Sequence, residues 1–146
     1  MTTCSLIAGA VLGLVPAVAA QAADTSSAFG AEKPMSDIRI VSAYASRGKV
    51  VLMSEIIVPS TVSRKAACHG SIVAVVRRND AVVGRKRLPI MKKHLTNMHT
   101  CWISGKVPAA GGNKGLRITL VFGGNDRMGP SHVSGKVLPH IPRVGS

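Results

Sequence analysis

Two thiols, several basic clusters and a group of soft metal ligands are the residues of this sequence whose types and spacing can do chemistry. Cys68 and Cys101 lie 33 positions apart. A redox or thiolate-metal pair is usually announced by a C-x-x-C spacing, and neither cysteine has it. The pair fits a structural disulfide, whose closure stabilises a fold by roughly 3–4 kcal/mol in the chain-entropy picture. Basic side chains gather as Arg64-Lys65, Arg77-Arg78, Arg85-Lys86-Arg87 and Lys92-Lys93. Arg77, Arg78, Arg85, Lys86, Arg87, Lys92 and Lys93 are the candidates for holding a polyanion, with an affinity that falls as salt rises. An ordinary solvated surface accounts for the same charges. Met91, His94, Met98 and His99 bring thioether and imidazole groups, which suit copper. Their spacing is irregular, so no metal site and no cofactor are assigned. A copper-binding exported protein stays open as an alternative.

Catalysis asks for a nucleophile, a base and an orienting group. The six carboxylates, Asp24, Glu32, Asp37, Glu55, Asp80 and Asp126, are scattered. The chain has no G-x-S-x-G, no H-E-x-x-H, and no glycine-rich loop leading into a helix that would hold a phosphate. A non-catalytic protein without catalytic residues is expected. Base stacking on aromatic rings is also poorly supplied, since Phe29, Tyr44, Trp102 and Phe122 are all there is.

Partner class follows from charge, and compartment from the leader and the cysteine count. The chain carries 19 Lys and Arg against 6 Asp and Glu, a formal charge of +13. Such a surface attracts polyanions and membranes and says nothing about fold. Residues 4–20 are uncharged and mostly apolar, and Ala20-Gln21-Ala22 has the small-x-small pattern of a cleavage site. A signal peptide over 1–22 is therefore expected, with an uncleaved anchor as the rival. Pro16 breaks the apolar run, and no integral span is expected in the mature chain. Cys4 would leave with the leader, and the remaining even pair is what an exported domain carries. Secretion or display at the cell surface is the expected location. Residues 23–36 are small and polar and read as a flexible lead-in. One domain is expected over 37–138, with a tail at 139–146.

The elements that must position these groups are strands. Ile38 and Ile40 alternate with Arg39 and Val41 in a first strand near 37–44, with Ser42 on the side of the isoleucines and Ala43 on the side of Arg39 and Val41. Residues 49–58 form a β-branched run ended by Pro59. From Cys68, alternation puts Ile72, Ala74 and Val76 on one face. Asn79-Asp80 makes a turn into a returning strand at 81–88, with Gly84 as a bulge. Further strands are expected at 98–107, 115–122 and 131–138. Seven short strands at this spacing, with no intervening amphipathic helix, imply an all-β sandwich.

The chain runs Cys68-His69-Gly70, Gly84 in the returning strand, Cys101-Trp102, Phe122-Gly123-Gly124-Asn125 and Pro130. In these features it resembles bacterial immunoglobulin-like domains of exported and surface proteins, of actinobacterial type. The likeness runs over about residues 68–130. It implies an immunoglobulin-like β-sandwich of about seven strands with one inter-strand disulfide, Cys68 to Cys101. It also implies a module that spaces, adheres or binds. The resulting expectation is a secreted or cell-envelope binding module with a basic face for an anionic partner: cell-wall polymer, glycan or nucleic acid. An envelope assembly subunit docking through a sheet edge is the alternative. No small-molecule substrate is inferred.

Overall fold

The computed structural model describes residues 32–92 and 99–139, all within the unit Ala31–Ser146. Its seven strands are β1 (Asp37–Ser46), β2 (Lys49–Ile57), β3 (Ser71–Arg78), β4 (Ala81–Pro89), β5 (Thr100–Pro108), β6 (Leu116–Phe122) and β7 (Ser131–Lys136). One helical turn, α1 (Arg64–Ala67), precedes β3. The strands form two antiparallel sheets, ordered β1-β2-β5 and β4-β3-β6-β7. Hairpins stay within a sheet, whereas the β2–β3, β4–β5 and β5–β6 connections cross between sheets. This is the expected all-β sandwich of seven strands. The expected signal segment, most of the expected lead-in, Lys93, His94, Met98 and residues 140–146 lie outside the described residues.

Alternation builds the core. Val50, Leu52 and Ile56 of β2 and Cys101, Ile103 and Val107 of β5 face inward. Ile72, Ala74 and Val76 of β3 and Leu116, Ile118, Leu120 and Phe122 of β6 meet them. Each large apolar side chain buried this way contributes about 1.5–3 kcal/mol. Small residues allow close approach where the sheets converge. Gly105 lies against Leu88, and a Cβ on Gly84 would overlap the carbonyl oxygen of Pro108. The register slips beside Gly84, between Val76 and Arg77, leaving Val83 as the extra residue of the expected bulge.

The first strand departs from simple alternation. Ile38 and Ile40 pair with Ile56 and Ser54, but the register then shifts, so Val41 has no partner and Ser42 pairs with Met53. The bulge reverses the parity. Ala43 and Ala45 are buried, and Ser42 lies on the outer side. The expectation that Ala43 shares a side with Arg39, and Ser42 with Ile38 and Ile40, is corrected by this single extra residue.

A second correction concerns Cys68. The strand begins at Ser71, and Cys68 caps α1 instead. The Ser63 hydroxyl accepts from the Ala66 amide at 3.2 Å and starts the turn. The disulfide to Cys101 is present, with a Cα separation of 5.2 Å. It joins the approach to the four-stranded sheet to β5 of the three-stranded one, so it ties a cap to a strand rather than strand to strand.

The loops at the disulfide end are gathered by Asn125. Its amide donates to the Ala67 carbonyl at 2.9 Å, while its Oδ1 accepts from the amides of Arg127 and Met128, both at 2.9 Å. The end of the lead-in docks on the same loop. Lys33 Nζ donates to the Asn125 carbonyl at 2.9 Å, and the buried Ser36 hydroxyl meets the Ser131 hydroxyl at 3.0 Å. Among the described residues, no helix is long and apolar enough to cross a membrane.

Candidate functional site

Cross-strand register places the basic side chains. Residues paired across neighbouring strands share a face. On the outer face of the four-stranded sheet, Arg87, Val73, Val121 and His132 form one row, and Arg85, Val75, Thr119 and Ser134 the next. Val82, Arg77, Arg117 and Lys136 form the third. Five permanent cations therefore share one face with His132 and two hydroxyls, which bond each other at 2.8 Å. No carboxylate belongs to these rows. Among the described residues, the ion pairs Arg39–Glu55, His69–Asp126 and Arg127–Asp126 lie outside these rows.

The third row is electrostatically costly. Arg77, Arg117 and Lys136 sit directly opposite one another on three neighbouring strands. Like charges so placed are destabilising. At the ~4.8 Å strand spacing they span about 10 Å, close to one screening length in physiological salt. An anion laid across the row relieves that repulsion.

The sequence-predicted basic residues divide among several places. Arg77, Arg85 and Arg87 come together on this face. Lys86 pairs with Ala74 on the opposite parity and is exposed beside the sheet edge. Arg78 is used by the fold. Its guanidinium donates to the carbonyls of Ala110 at 2.7 Å, Gly112 at 2.6 Å and Lys114 at 3.3 Å, clamping the β5–β6 loop. Lys92 follows Met91, whose backbone pairs with Trp102 of the other sheet. Lys93 lies outside the described residues. Sequence grouping missed Arg117 and Lys136. The signal was present in the clean alternation of β6, which sets Arg117 outward, but β6 and β7 join the basic hairpin only through the sheet order.

Two other groups can be weighed chemically. His69 Nε2 meets Asp126 Oδ1 at 2.7 Å, with Arg127 Nε 3.3 Å from the other carboxylate oxygen. This orients an imidazole, but among the described residues no hydroxyl or thiol joins it as a nucleophile. Of the soft ligands, His99 Nε2 lies 2.7 Å from the Val62 carbonyl oxygen, and Met91 sits at the edge of β5. His94 and Met98 lie outside the described residues. Among the described residues, no three of His, Cys, Asp and Glu gather as a metal set.

Comparison of the chain with family models, with curated proteins and with solved structures gives no match in any of the three. The functional reading therefore rests on the geometry of the chain itself.

Proposed function

We propose that this chain is an exported, non-catalytic binding module of the cell surface or its surroundings, related to bacterial immunoglobulin-like domains. It holds an anionic polymer against the outer face of its four-stranded sheet. One observation carries the reading: Arg77, Arg85, Arg87, Arg117 and Lys136 share that face, no carboxylate belongs to their rows, and three of them stand in one repulsive row. The disulfide supports export, because such bonds form and persist in oxidising compartments. The leader pattern points the same way. Its rows carry no Phe, Tyr or Trp, so it favours phosphate, sulfate or carboxylate groups over base-specific stacking.

The test is a charge-matched comparison on an immobilised sulfated glycan and on a polyphosphate. The variant Arg85→Gln, Arg87→Gln, Arg117→Gln should elute at much lower salt than the parent. The control Lys33→Gln, Lys65→Gln, Lys114→Gln loses the same charge and should elute close to it. Equal shifts for the two triples would reduce the binding to net charge and defeat the proposal.

A further inference from the structure

A second basic locus lies on the other sheet. Tyr44, Val51 and Lys106 form one outer row of the three-stranded sheet, and Ser46, Lys49 and Pro108 the next. With Arg47 of the β1–β2 turn, they surround an open depression of about 440 Å³ lined by Tyr44, Ser46, Arg47, Lys49, Val51 and Lys106. That size falls in the roughly 300–1,000 Å³ range of small-molecule sites. No carboxylate lines it. Further along this face the acids are Glu55, which is buried and paired with Arg39, and Asp37, which is exposed and pairs with Ile57 at the far end of the sheet.

The turn gives an independent observation. Both two-residue hairpin turns use positive φ at each position: Asn79 at 46° with Asp80 at 65°, and Arg47 at 47° with Gly48 at 72°. Turns of this kind favour Asn, Asp or Gly. Asn79 fits that chemistry, whereas Arg47 holds a left-handed backbone despite its long side chain. Strain of this sort concentrates at functional sites, and here it falls on the rim of the depression.

We propose that this depression binds a sugar ring bearing an oxyanion: a phosphate, sulfate or carboxylate group. Arg47, Lys49 and Lys106 hold the charged group, with the guanidinium able to grip two of its oxygens. Tyr44 and Val51, both half-buried, offer an apolar floor to the C–H face of the ring. The Ser46 hydroxyl donates to or accepts from a ring hydroxyl. The site is on the opposite sheet from the polymer-binding face and does not depend on it.

The test is a calorimetric or NMR titration of the chain with a hexose phosphate, glucuronate, glucose, inorganic phosphate and a short polyuronate. The hexose phosphate and glucuronate should bind, and neutral glucose should not. Inorganic phosphate should bind about tenfold more weakly than the hexose phosphate, because it forgoes the floor. Lys49→Ala with Lys106→Ala, both exposed, should weaken the hexose phosphate at least about tenfold. Arg47→Asn is the discriminating variant. It should raise the unfolding midpoint by roughly 2–4 °C while weakening the sugar several-fold. A polyuronate that binds more tightly per ring than the monomer names a polymer as the source, and the reverse names a free sugar. Inorganic phosphate equal to the hexose phosphate, or a lysine pair variant that binds as the parent does, would overturn the site. So would an Arg47→Asn protein that gains stability but keeps full affinity. The arginine triple on the other sheet should leave this titration unchanged, so the two proposals fail separately.

Discussion

Removing the disulfide is the most quantitative perturbation the fold offers. Cys68→Ala with Cys101→Ala opens a loop closed across a sequence separation of 33. In the chain-entropy model the bridge withholds about 12.5 cal/mol/K from the unfolded chain, or about 3.7 kcal/mol at 25 °C. Cys101 is fully buried, so losing its sulfur adds a small packing cost to that figure. For a folded unit of about 110 residues, unfolding entropy near 2.1 cal/mol/K per residue turns 3.7 kcal/mol into a fall of about 16 °C in the midpoint. Urea unfolding of the oxidised parent and the double variant, followed by the single Trp102, gives the free-energy difference directly. A loss below about 1 kcal/mol would refute the reasoning, because the bridge would then not be limiting the unfolded ensemble as this loop length requires.

Three further substitutions test how the loops and sheets are held. Gly84→Ala places a Cβ onto the Pro108 carbonyl oxygen, a backbone atom that cannot step aside. A loss of about 3 kcal/mol or more is expected by urea titration. Asn125→Ala removes the bonds that join the 123–130 loop to Ala67, and should cost about 1–3 kcal/mol. It should also speed amide exchange at Arg127 and Met128, whose donors lose their acceptor. Arg39→Met leaves the Glu55 carboxylate, only 5% exposed, without its guanidinium. Arg39 is itself largely exposed, so water softens the effect and about 1–2 kcal/mol is expected rather than the full cost of an unpaired buried charge. Arg39→Met with Glu55→Leu should recover most of that loss.

Period-two alternation made most of the sandwich legible. The inward sets of β3, β5 and β6 follow directly from it, because each strand keeps strict alternation over its buried length. The outer half of β1 was not legible. One unpaired residue, Val41, reverses the parity, and nothing in Ile40-Val41-Ser42 announces it. The helical turn at α1 was signalled by Ser63 followed by Arg64-Lys65-Ala66, a short N-cap pattern easily lost inside a polar loop. The basic face was half visible. Arg77, Arg85 and Arg87 share a hairpin, so local sequence brings them together, whereas Arg117 and Lys136 arrive by sheet order. The depression on the other sheet was invisible in sequence, because Lys49 and Lys106 meet only through the β2–β5 pairing.

The salt dependence of polymer binding addresses the central claim most directly. If all five cations of the four-stranded face engage a single-stranded polyphosphate, the log–log slope against salt should be about −3.5. Affinity should then fall roughly a hundredfold between 50 and 200 mM salt. The Arg85→Gln, Arg87→Gln, Arg117→Gln variant should keep a slope of about −1.4 and lose only about sevenfold over the same range. Parent and variant with the same slope, or binding in the parent that ignores salt, would contradict the account.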